Sequence, residues 1–140
     1  MNDLDRNKQI VCSLISEVWN HGNLDRLSEF WDEDCINHAM SGADNRGLEA
    51  VRVYHESLAV TLTEAFTDFQ TEILQQIAEG ESVVTQMRSS GKHSGTFFGI
   101  PATGKIITLS AMRIDRFQNG KICEHWSVAD LAGLMQQLQT

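Results

Sequence analysis

Apolar side chains recur every three or four positions up to about residue 65 and every second position after that. In the first stretch Ile10, Leu14, Ile15, Val18 and Trp19 share one face, which predicts a helix over 3–20 closed by Gly22. Leu24, Leu27, Phe30 and Trp31 predict a second, short helix over 24–31. Residues 35–40, "CINHAM", read as a short extended segment, and 41–47, "SGADNRG", as turns. Leu48, Val51, Tyr54, Leu58 and Leu62 place a third helix over 48–65.

Beyond that point the period is two. Phe69, Thr71, Ile73, Gln75 and Ile77 alternate with Gln70, Glu72, Leu74 and Gln76, a strand over 69–78. Further strands are expected over 82–93, 106–118 and 121–128, with Asn119-Gly120 as a hairpin turn, and a last helix over 129–139. Helices followed by an antiparallel meander make an α+β fold. The helices pack on one face of a strongly curved sheet and leave a ligand-sized cavity between. The 140 residues suit a single domain spanning 1–140.

Charge narrows the partners. A net charge of −8 argues against nucleic acid or an anionic membrane. No apolar run has the length of a membrane helix. The opening "MNDLDRNKQ" is too polar for a targeting peptide, so a cytoplasmic location is expected. Cys12, Cys35 and Cys123 are widely spaced and form no CxxC pair, so reduced thiols are expected rather than disulfides or zinc. The histidines show no tight ligand spacing, and no metal is expected.

The turn at Asn119-Gly120 controls which side chains share a face. A two-residue turn pairs Gln118 with Lys121; a three-residue turn with Gly120 as a bulge pairs Phe117 with Lys121. The bulged form separates polar from apolar, so it is expected. It puts Arg113, Asp115, Cys123, His125 and Ser127 on one face, and Met112, Ile114, Ile122, Trp126 and Val128 on the other. Alternation leaves two placements open: the apolar face against the helices, or the polar face inside a cavity with the apolar face covered by another subunit.

Ahead of the third strand lies "SGTFFGIPATGK", which holds the chain's one proline, Pro101. Pro101 fixes one φ angle, the glycines permit turns, and Phe97, Phe98 and Ile100 offer apolar surface to roof a ligand. "GKHSGTFFGIPATGK" and "RFQNGKICEHWSVADLAGLMQQL" resemble the SnoaL-like polyketide cyclases of the NTF2-like superfamily, and the order of elements extends the resemblance over nearly the whole chain. The resemblance implies a cone-shaped fold, the polar face turned inward, pairing through the sheets, and an intramolecular aldol closure without metal or organic cofactor. It also implies an acid/base aspartate two residues after the histidine of the last strand. That position is Ser127 here, and the neighbouring active-site histidine corresponds to Arg113.

The remaining proton-transfer candidates are His125, Asp115 and His93. Arg113, Ser127, His38, Phe97, Phe98, Ile100 and Asp130 are candidates for ligand contact, and His55 on the third helix is another. Asp130 has a competing role as a helix N-cap, and Asp115 as an ion-pair partner of Arg113. The expected partners are a small apolar ligand and a second copy through Met112, Ile114, Trp126 and Val128. An enzyme and a binding protein with the same cavity both fit this pattern. A pure interaction module using the outer sheet face fits it less well.

Overall fold

The computed structural model describes residues 1–40 and 45–139, so the turns expected at 41–44 lie outside the described residues. Helix α1 (Asp3–Leu14) opens on Asn2, whose side chain accepts the Asp5 N–H at 2.8 Å. It runs on into a π-helical turn, Ile15–Asn20, whose wider winding shifts the phase of the side chains that follow. A 3₁₀ turn (Leu24–Arg26) leads to α2 (Leu27–Phe30), and Gly22 ends the preceding helix at φ +75°.

Trp31 is not helical. It starts strand β1 (Trp31–Asn37), which takes in residues 35–37 of the expected extended segment, with 38–40 turning away, and lies parallel to the last strand. The long helix α3 (Leu48–Ala65) is followed directly by β2 (Phe66–Glu79), then β3 (Ser82–His93), β4 (Ile106–Gln118), β5 (Lys121–Ala129) and α4 (Leu131–Gln139). The five strands form one sheet in the order β1-β5-β4-β3-β2, antiparallel except at β1–β5. The sheet is curved and unclosed, with the helices against its inner face. No helix among the described residues is long and apolar enough to cross a membrane.

Two bulges alter the expected faces. In β2, Ile73 pairs with Met87 and Gln75 with Gln86, so Leu74 is an extra residue. Ile77 consequently turns outward and is 61% exposed, although it shares the alternation of Phe69. In the last hairpin the turn is the two-residue form: Gln118 pairs with Lys121, and Asn119 and Gly120 have φ of 54° and 77°. The bulge lies further in, at Cys123, between the Arg116–Glu124 and Phe117–Ile122 pairs. The expected bulge at Gly120 is therefore absent. Beyond Cys123 the parity is the one the bulged turn requires, so Arg113, Asp115, His125 and Ser127 do share the inner face. Ile122 crosses over: it is fully buried beside Phe117 rather than on the outer face.

Two apolar clusters hold the helices to the sheet. One gathers Val11, Leu14, Trp31, Val51, Phe117 and Ile122; the other gathers Phe66, Phe97, Ile107, Leu134 and Leu138. Burying each large side chain contributes about 1.5–3 kcal/mol. Gly95 lets the chain between β3 and β4 cross the end of α3, since a Cβ there would stand 2.0 Å from the Glu64 carbonyl oxygen. All three cysteines are free, Cys35 and Cys123 buried and Cys12 exposed.

Candidate functional site

Between the margins of the two clusters lies a cavity of about 410 Å³. Its walls are mostly apolar: Trp19, Leu58 and Leu62 from the helices, Phe69 and Met87 from the sheet, Leu134 from α4. Polar groups enter at a few points only, namely Arg113, His125 and Ser127 from β4 and β5, Thr71 and Ser89 from β2 and β3, and Tyr54, His55 and Thr61 from α3. A concave apolar chamber with a few convergent polar groups is the form of a small-molecule site.

The antiparallel register of β4 and β5 sets Arg113 opposite Ser127 and Asp115 opposite His125. Arg113 donates from Nε to Asp115 Oδ2 at 2.7 Å and from Nη2 to Asp115 Oδ1 at 2.9 Å. His125 Nδ1 lies 2.7 Å from Asp115 Oδ1. Arg113, Asp115 and His125 are 3%, 0% and 6% exposed. Charges this deep persist only when paired.

Burial acts to raise the Asp115 pKa, but the charge of Arg113 and the bonds from His125 and Arg113 outweigh it and bring it down to about 2. The carboxylate is thus ionised, which assigns the Nδ1 proton of His125 to the donor role. Burial, then the charge of Arg113, lowers the His125 pKa, and Asp115 opposes them. At neutral pH the set is Arg⁺, Asp⁻ and neutral histidine. Among the described residues nothing bonds Arg113 Nη1 or His125 Nε2, so a donor and a proton acceptor remain for the cavity that both residues line.

His55 adds a second neutral imidazole. Its Nδ1 donates to the Val51 carbonyl at 2.8 Å, one helical turn back, which leaves Nε2 as an acceptor. Burial brings its pKa down to about 4; the bond to Val51 opposes this, and the charges of Arg113 and His125 add to it. The Trp19 indole packs on it at 4.8 Å between ring centroids.

Phe97 and Ile100 exchange backbone bonds of 3.0 and 2.9 Å, closing a two-residue turn with Phe98 and Gly99 at its tip. Phe98 holds a left-handed φ of 45°, costly for an aromatic residue, and stands 66% exposed at the cavity wall. Ile100 packs behind it against the second cluster and does not line the cavity.

The structure brings together Arg113, Asp115, His125, Ser127, Phe97 and Phe98. Besides Ile100, it separates three other candidates. His93 is fully buried away from the cavity, and its Nδ1 is taken by Thr103, through the hydroxyl at 2.9 Å and the backbone N–H at 3.2 Å. His38 lies on the outer side of the sheet, stacked on Trp126 at 4.9 Å and 2.7 Å from Glu124. Asp130 caps α4, accepting the Gly133 N–H at 2.9 Å. Trp19 and Tyr54, which periodicity places only on the apolar faces of their helices, line the cavity.

A family model, the SnoaL-like polyketide cyclase, matches residues 9–138. Aklanonic acid methyl ester cyclase DnrD from Streptomyces peucetius is 29% identical over 126 residues, 87% of this chain and 83% of that protein. The fold matches a proposed polyketide cyclase from Acidithiobacillus ferrooxidans with a TM-score of 0.83 at 24% identity, covering 99% of this chain and 98% of the other. TsrD from Streptomyces laurentii matches with a TM-score of 0.78 at 24% identity over 99% and 98%. With the inward-facing polar strands and the loop-roofed cavity, the match over nearly the full chain shows that this protein belongs to the SnoaL-like polyketide cyclase family, on the NTF2-like fold.

Proposed function

We propose that the protein is a cofactor-free enzyme that closes or isomerises a small, largely apolar dicarbonyl compound by acid/base chemistry. The observation that carries this reading is the buried Arg113–Asp115–His125 set, with a free acceptor and a free donor facing an apolar cavity. His125 Nε2 removes a proton from the carbon beside a carbonyl, and Asp115 stabilises the imidazolium formed. Arg113 Nη1 meets the enolate oxygen. The enolate carbon attacks the second carbonyl, and the resulting alkoxide recovers the proton from His125. One C–H bond breaks, one C–C and one O–H bond form, and the product is an isomer of the substrate.

Ser127, cross-strand from Arg113, presents a hydroxyl and not a carboxylate. That favours a second reading, a protein that binds such compounds without turning them over. One assay separates the two: conversion of aklanonic acid methyl ester by wild type and by His125→Ala, Ser127→Ala and Ser127→Asp. The enzyme reading expects turnover that His125→Ala lowers by about 10²–10⁴-fold and Ser127→Ala barely changes. Ser127→Asp gains little, because Arg113 keeps a new carboxylate ionised and weakly basic. Binding without turnover in all four would support the second reading for this ester.

A second copy of the chain is the proposed partner of the outer sheet face. Ile114 and Trp126 are cross-strand neighbours there, as are Met112 and Val128, and all four are exposed. An apolar row of that size suits an interface.

A further inference from the structure

Adjoining the cavity lies a second hollow of about 340 Å³, around the π-helical turn and the start of β2. The two spaces share four wall residues: Trp19, Leu62, Phe69 and Thr71. We propose that Trp19 is the partition that sets the length of ligand the cavity accepts, and that the second hollow is the room a longer ligand would use once the indole is removed. The inference rests on the cavity being the ligand site.

Three features fix the indole as a wall. The π-helical turn Ile15–Asn20 turns Trp19 out of the register of α1. Asn20, the next residue, clamps that turn to the edge strand: its Nδ2 donates to the Thr71 carbonyl at 2.9 Å, and its Oδ1 accepts the Thr71 N–H at 2.8 Å. Thr71 is itself one of the shared wall residues, so partition and strand are tied together. On the cavity side the indole rests on the ring of His55. A side chain held by a clamped turn on one side and a packed ring on the other is a fixed stop. The polar set at Arg113 and His125 anchors a ligand inside the cavity, and the indole closes the wall between that space and the second hollow. Removing it opens a space nearly as large as the first.

The test uses alkyl 2-naphthyl ketones with acyl chains of two to ten carbons, titrated calorimetrically into wild type, Trp19→Phe and Trp19→Ala. While added methylenes find room, affinity should rise about fourfold each. In wild type the rise should stop at a definite chain length. Trp19→Ala should move that cut-off outward by three carbons or more, with Trp19→Phe between. Leu62→Ala breaches the same wall from α3 and carries the same expectation should Trp19→Ala fail to fold. Short ketones binding with an unmoved cut-off in the folded variants would overturn this inference and leave the cavity reading intact. No binding of any ketone to wild type would overturn both.

Discussion

The two faces of the β4–β5 hairpin invert the usual distribution of polarity. Inside are an arginine, an aspartate and a histidine, all nearly inaccessible; outside, Trp126 is 37% and Val128 74% exposed. An ordinary two-layer domain would turn the apolar row to its helices and the charges to water. Here the charges can stay inside because they satisfy one another: both carboxylate oxygens of Asp115 have partners at 2.9 Å or less. A buried ion pair of this kind is poor evidence for stability and better evidence for a task, since an apolar replacement of both partners is often as stable. On the outer row the His38 ring stacks on Trp126, and the proposed second copy would cover the rest.

The inner set should be the more sensitive of the two. Arg113→Leu leaves the Asp115 carboxylate buried without its cation, and the unfolding free energy in urea should fall by about 3–5 kcal/mol. A loss under 1 kcal/mol would mean that the carboxylate is better solvated than its burial indicates.

A second effect comes from pH. His55 titrates in the fold near pH 4, below its unfolded value of 6.5. Its neutral form is the one the fold accepts, so its contribution is complete above pH 6.5 and is lost as pH falls from 6.5 to 4. The loss should be about 3 kcal/mol. His125, also lowered, acts in the same direction. Asp115 contributes lower down, between its unfolded value of 3.8 and about 2. Urea unfolding at pH 7 and 4.5 should show the fall, and His55→Asn should flatten it. A pH-independent unfolding energy over that range would show that His55 takes up its proton without penalty.

The outer face should respond least in the fold and most in assembly. Trp126→Asp should change monomer stability by about 0.5 kcal/mol or less. In sedimentation, however, it should convert a species of twice the 15.7 kDa chain mass into a monomer. A wild-type protein that sediments as a monomer at micromolar concentration would remove the second copy as the occupant of this face.

Much of this architecture was readable from the chain. The change of period near Phe66 marks the passage from α3 to the sheet. The parity of Arg113, Asp115, His125 and Ser127 survives even though the bulge sits at Cys123 and not at Gly120, because either placement inserts one residue. What alternation cannot show is where that residue goes, so Ile122 was assigned to the wrong face. The start of strand β1 is hidden because Phe30 and Trp31 continue the helical spacing of Leu24 and Leu27, whereas residues 35–37 at its end read as extended. The π-helical turn is hidden too, since a change of winding leaves no mark in composition, and Trp19 therefore reads as one more residue of the apolar face of α1. His93 and His125 look alike as strand histidines. They are separated by Thr103, which occupies His93 from a loop whose path no periodicity records.

The role of the inner set is tested most directly by hydrogen exchange at carbon. In D₂O at pH 7, with 2-acetonaphthone as probe, proton NMR follows the loss of the methyl protons beside the carbonyl. Wild type should speed their replacement by deuterium, His125→Gln should remove about 10²–10⁴-fold of that acceleration, and Ser127→Ala should keep it. Equal exchange rates for wild type and His125→Gln would contradict the assignment of His125 as the base.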